Sequence, residues 1–136
     1  MPEIIISEPL SITMNLIEVE ERLPSFKMLV KSEVVDLTGS FTYQREVWFE
    51  CSKWDFFVSK LNHVESCTEK IILIDMDEDF TIAIEKDENT ARLNFKCSYS
   101  PVSRSRASLV MTYDSKLDKE ALEKIKNVFN EFPKWW

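Results

Sequence analysis

Apolar and polar residues mostly alternate from Ile12 to Val19, with Ile12, Met14 and Leu16 on one face, until the phase slips at Ile17 and Val19 as at a β-bulge. After Leu23-Pro24-Ser25 the alternation resumes in Phe26, Met28 and Val30 against Lys27 and Lys31. It returns after Thr38-Gly39-Ser40 in Phe41, Tyr43, Arg45 and Val47. These three runs predict an antiparallel meander. At Ser52 the period changes: Trp54, Phe57, Val58 and Leu61 recur at helical spacing, Ser52 and Asp55 are placed as a capping box, and the end is expected near Asn62 or His63. Four more strand-like runs follow: Lys70 to Met76, Phe80 to Ile84, Ala91 to Tyr99 and Ala107 to Tyr113. The turn sequences Asp77-Glu78-Asp79, Asp87-Glu88-Asn89 and Ser100-Pro101 separate them. Asp118 is then placed to cap a closing helix whose stripe of Ala121, Leu122, Ile125, Val128, Phe129 and Phe132 stops at Pro133.

The expected class is α+β: an antiparallel β-sheet of about six to seven strands in two meanders, with one helix between them and one C-terminal helix packed on the sheet. Short connections favour hairpins over parallel crossovers. Neither a linker, a low-complexity tract nor a repeat divides residues 1–136, so a single domain is expected. A 44% hydrophobic and 12% aromatic content is enough for a real core.

Composition then narrows the chemistry. Average usage of roughly 7% would give about nine or ten glycines, and this chain has one, Gly39. Dinucleotide fingerprints, phosphate loops and kinase-type glycine loops are thereby excluded. A single histidine excludes the zinc-protease helix motif and any site with two imidazoles. A pI near 4.8 argues against nonspecific nucleic-acid binding, which depends on cationic side chains. The cysteines Cys51, Cys67 and Cys97 are odd in number and form no C-x-x-C pair, which fits a reducing, cytoplasmic setting. The N-terminus lacks a basic leader, and no apolar run exceeds the four residues Ile71 to Ile74, so neither a secretory signal nor a bilayer span is expected.

The net charge of −7 is unevenly distributed. Between Asp75 and Thr90 seven acids face the lone Lys86, whereas the remainder carries 17 acids and 16 bases. If the strands pair as expected, both turns and part of one face form an anionic patch, which would steer a cationic partner and reject anionic competitors. Solubility and protection of sheet edges explain the same charges without a partner.

Other constellations are weaker. Asp75, Asp77 and Asp79 imitate the start of an EF-hand loop, but its sixth position is Phe80 rather than glycine and its twelfth is Lys86 rather than glutamate, so no metal is expected. His63 and Cys67 have one-face helical spacing, for half a zinc site or a nucleophile and base, but fall at a helix end and the loop after it. Arg104 and Arg106 would grip a phosphate or simply be a solvated strand entry. Trp135-Trp136 suits a membrane or partner anchor or a tail folded onto the body; the acidic chain favours the last two. Trp48, Trp54, Phe41, Tyr43 and Phe49 are expected in the core.

Taken in order, these segments resemble the WapI-type immunity proteins, which neutralise the C-terminal domains of bacterial contact-dependent or wall-associated toxins. The likeness is carried by Gly39-Ser40-Phe41 leading through Val47-Trp48-Phe49 into the helix Trp54 to Leu61, by the meander Ile71 to Tyr113, and by the closing helix Leu117 to Phe132. It implies a cytoplasmic, non-enzymatic protein without a cofactor that binds a cognate toxin domain and blocks its active site or substrate approach. Such families diversify their contact surface, so no residue is carried over by motif. From charge alone the expected contact residues are Asp75, Asp77, Glu78, Asp79, Asp87 and Glu88. No nucleic acid or membrane is expected as partner, and the oligomeric state is left open. The alternatives are a regulatory domain binding a small ligand between sheet and helices, and an enzyme using Cys67 with His63 or the acids.

Overall fold

The computed structural model describes residues 2–99 and 107–136. A first antiparallel sheet takes its strands in chain order: β1 (Glu3–Ile6), β2 (Ser11–Glu20), β3 (Ser25–Asp36) and β4 (Gly39–Glu50). Helix α1 (Cys51–Asn62) follows, then a second antiparallel sheet of β5 (Ile71–Ile74), β6 (Phe80–Lys86), β7 (Ala91–Tyr99) and β8 (Leu109–Leu117), and finally α2 (Lys119–Glu131). The class is α+β, but each meander is a separate four-stranded sheet and the strands number eight among the described residues. The unexpected strand is β1. Four residues are too few to display a period, and Glu3–Ile6 are strand because they pair with Ile12–Asn15.

Several local expectations hold. The β2–β3 register shifts between Leu16 and Glu18, where the hydrophobic phase slips. The Asp118 carboxylate caps α2 by accepting the Ala121 N–H at 2.7 Å, and the helix ends ahead of Pro133. Two others are corrected. Ser52 is not the cap of α1; β4 runs directly into the helix, Glu50 occupies the cap position without a side-chain bond, and the Cys51 N–H is satisfied by the Pro24 carbonyl at 2.9 Å. The last strand lies at Leu109–Leu117 rather than Ala107 to Tyr113, because its register pairs Leu117 with Ala91.

One core joins both sheets and both helices. Phe26 and Phe49 of the first sheet and Phe80 and Phe95 of the second face Trp54 and Phe57 of α1 and Phe129 of α2, all at most 2% exposed. The Phe26 ring lies 5.0 Å from Trp54 and 5.3 Å from Trp136. The C-terminal tail therefore folds onto the body, and the Trp136 indole also donates to Asp55 at 2.8 Å. Tyr43 and Phe49 are core residues as expected, but Trp48 and Phe41 are not. Trp48 lies one step out of phase with the buried Val47 and Phe49, so it is half-buried on the other face of β4, 5.7 Å from the Lys27 ammonium. Phe41, beyond the reach of the helices, is 38% exposed.

One inward position is polar without compensation. Ser32, on β3 between Ile12 and Tyr43, is fully buried, and its hydroxyl has no hydrogen-bond partner among the described residues. Ser32→Ala should therefore raise stability by about 1 kcal/mol, the desolvation cost it removes. A urea midpoint that moves upward at constant slope checks this; a lower midpoint would mean the hydroxyl is satisfied.

Candidate functional site

The expected anionic patch is divided by strand geometry. The turn Asp75–Asp79 precedes β6 and the turn Asp87–Thr90 follows it, so they stand at opposite ends of that strand. Seven residues at about 3.4 Å each separate them by roughly 20 Å. Asp75, Asp77, Glu78 and Asp79 form one group and Asp87 and Glu88 another, not a single patch.

The first group is partly structural. Asp75 is 2% exposed, and its carboxylate accepts the backbone N–H groups of Asp79 and Phe80, both at 2.8 Å, and of Asp77 at 3.3 Å. This closes the turn by giving inward-pointing donors an acceptor, as a short polar side chain does in an Asx turn. Burial raises the Asp75 pKa, with the three N–H donors opposing that rise. Asp75 is thus a turn-former, and its expected role as a surface contact is corrected. Glu78 completes the turn at φ 60°, a left-handed conformation that costs a non-glycine residue roughly 1 kcal/mol. The single glycine does not relieve any such strain, since Gly39 has no positive φ.

Asp79 ties the two sheets together. Its carboxylate lies 2.5 Å from the Arg45 guanidinium of β4 and accepts the Ser98 hydroxyl of β7 at 2.9 Å. The Asp79 carbonyl accepts the Ser98 N–H at 2.8 Å, while the Ser98 carbonyl accepts from Tyr43 at 3.3 Å and Arg45 at 3.4 Å. Beside them the Met76 N–H donates to the Trp48 carbonyl at 2.8 Å, so the second sheet is hydrogen-bonded to β4 at this corner. Asp79 is therefore a half-buried, ion-paired residue at the junction between the sheets. Arg45, Ser98 and Tyr43 were not among the expected site residues. The legible sign was Arg45 itself, a cation in the inward phase of the run Phe41, Tyr43, Arg45, Val47. Of this group only Asp77 and Glu78 are exposed.

At the far end of β6, Asp87 and Glu88 are exposed. Lys86 there pairs with Glu65 and borders an open cleft of about 580 Å³ that also has Lys116, Lys119 and Asp118 in its wall. Three lysines thus sit close to the second acidic turn and weaken its negative field.

Of the remaining candidates, the three aspartates of the first turn are brought together, while His63, Cys67, Cys51 and Cys97 are not joined to them. One carboxylate oxygen each of Asp75, Asp77 and Asp79 falls within 4.8 Å of the others, but Asp75 is committed to backbone donors and Asp79 to Arg45. His63 caps the end of α1 with Nδ1 2.9 Å from the Ser59 carbonyl, and the Cys67 thiol points to the Glu69 carbonyl at 3.5 Å. Cys51 and Cys97 are buried, which raises both thiols, Cys97 to about 11, and disfavours the thiolate a nucleophile needs. Arg104 and Arg106 lie outside the described residues. Among the described residues no helix is long and apolar enough to cross a membrane. A comparison with protein-family models, curated proteins and solved structures finds no match to this chain.

Asp75→Ala should destabilise the fold by about 2–3 kcal/mol by orphaning turn N–H groups, whereas exposed Asp77→Ala should stay within about 0.5 kcal/mol. The titration of Asp75 has a defined sign. A carboxyl whose folded pKa is raised favours the folded state on the acid side, and that contribution is lost as pH rises through the folded pKa. Urea unfolding of both variants across acid pH checks this; equal losses would mean that the turn does not depend on the buried carboxylate.

Proposed function

We propose that this chain is an immunity protein that binds a cognate bacterial toxin domain and occludes its active site or substrate approach. The observation that carries the reading is the outer face of the second sheet. Ile72 is 47% exposed there, Arg92, Lys96, Thr112 and Asp114 are exposed, and an acidic turn stands at each end of β6. A paired sheet is rigid, so such a face meets a partner with little ordering cost. A standard interface takes about 800 Å² from each partner, wide enough to include both turns. The free acids Asp77, Glu78, Asp87 and Glu88 would then approach a cationic channel, such as that of a nuclease, at two points roughly 20 Å apart. The resemblance of the sequence segments Gly39 to Leu61, Ile71 to Tyr113 and Leu117 to Phe132 to WapI-type immunity proteins suggests the same reading.

The 580 Å³ cleft beside Lys86 and Lys119 favours a second reading, a regulatory domain for a small ligand, since its volume lies in the range of small-molecule sites. Co-expression separates the two. If a toxin domain encoded beside this chain kills cells and the chain rescues them by forming a complex, the immunity reading stands; failure to bind or rescue removes it. The fourfold variant D77N/E78Q/D87N/E88Q, which spares Asp75 and Asp79, should slow association at low salt by about tenfold or more and flatten its salt dependence. Unchanged rates would remove the acids from the interface. Replacing His63 and Cys67 together by alanine should leave rescue intact, whereas loss of rescue with the fold preserved would favour the enzymatic alternative.

A further inference from the structure

We propose that the cleft between β4 and the paired ends of β7 and β8 binds a small, uncharged aromatic molecule. The cleft lies at the Tyr43–Ser98 side of the joint between the sheets. Phe41–Gln44 of β4 form one side, and Cys97–Tyr99 with their strand partners Leu109–Met111 form the other. Its volume is about 300 Å³. That is the lower end of the range for small-molecule sites, with room for one or two fused rings and too little for a strand or a helix. Its walls are open to water: Phe41 is 38% exposed, Tyr99 47%, Val110 60% and Leu109 71%. Among the described residues β8 is the outermost strand of its sheet, so no further strand covers this end.

The lining decides the ligand. None of the described residues around the cleft is charged, in a chain of which 30% is. By contrast, the cleft beside Lys86 and the one between α1 and α2 both carry charged side chains. An ion between β4 and β8 would lose water without finding a counter-charge, so ions of either sign are rejected. The neighbouring ion pair does not alter this. Arg45 and Asp79 neutralise each other, and the Ser98 carbonyl already accepts from Tyr43 and Arg45. Phe41 and Tyr99 offer rings to a flat ligand, which pairs with them edge-on or offset. Thr42 and Gln44 add neutral hydrogen-bonding groups suited to a hydroxyl or carbonyl on it. Covering Tyr99, Leu109 and Val110 takes exposed apolar surface out of water, which drives binding.

The test titrates the labelled full chain at neutral pH with 2-naphthol, 2-naphthoate and 2-naphthylmethylammonium, one ring system in neutral, anionic and cationic form, and follows amide shifts by NMR. The neutral ring should shift residues 41–44, 97–99 and 109–111 with a Kd below about 1 mM, and both ions should bind weaker by about tenfold or more. Leu109→Lys places a cation in the cleft at a position whose side chain faces water. It should weaken 2-naphthol by about tenfold and bring 2-naphthoate to equal or tighter binding. Val110→Lys is the second variant should the first disturb the fold. The absence of cleft shifts at millimolar 2-naphthol, or ions that bind as well as the neutral ring, overturns the proposal. So do cleft shifts that appear on raising the protein concentration alone, since a second copy of the chain then covers the surface. Ligand binding is read without a toxin, so this inference and the proposed function fail separately.

Discussion

The two sheets share one core because a turn of the second is locked to the last strand of the first. Asp75 makes that turn rigid from inside, presenting a buried carboxylate to N–H groups that have no strand partner, and Asp79 then holds Arg45 and Ser98 across the gap. Alone, each group would be costly where it lies: a carboxylate out of water, a guanidinium emerging from the apolar phase of β4, backbone donors facing inward. Together they satisfy one another. The Met76 N–H to Trp48 carbonyl bond adds a backbone link at the same corner. With the sheets joined here, α1 is held against β4 and β5, and the aromatic cluster around Phe26 and Trp54 can close.

This joint also determines where interactions with other molecules can occur. Two of the acids that carry most of the net charge are absorbed by it, and the exposed ones are separated by the length of β6. What faces solvent is a rigid sheet face with a free carboxylate pair at each end, together with an uncharged cleft where β4 meets the ends of β7 and β8. The lysine-lined cleft at the start of α2 is more nearly balanced in charge, since Glu65 holds Lys86 and Asp118 serves the helix cap.

Much of the fold was legible in residue order. The alternation of β2, β3 and β4, the bulge after Leu16, the helical stripe ending in Leu61, the strands of the second meander and the Asp118 cap are all local signals, set by side-chain period and cap chemistry. Strand β1 was not legible, because four residues carry no period and its strand state comes from pairing. Aromatic character alone does not set burial: the phase of β4 puts Trp48 on its outer face, and Phe41 lies at the end of β4 remote from α1. The acidic site was legible as composition and illegible as geometry. Sequence neighbours joined by one strand are far apart in space, and a carboxylate that accepts backbone donors has the same letter as one in water.

By itself the sequence determined an α+β chain with two antiparallel meanders, a helix between and a helix after, a capable core and an uneven charge. These depend on periods of two and 3.6 and on counts, which need no knowledge of distant contacts. Only the tertiary structure decided that the meanders form two sheets, that Asp75 and Asp79 serve the joint between them, that the tail packs on Phe26, and that β4 and the ends of β7 and β8 border a cleft. Each of those depends on residues far apart in the chain meeting at hydrogen-bond or contact distance, and no local pattern records such a meeting.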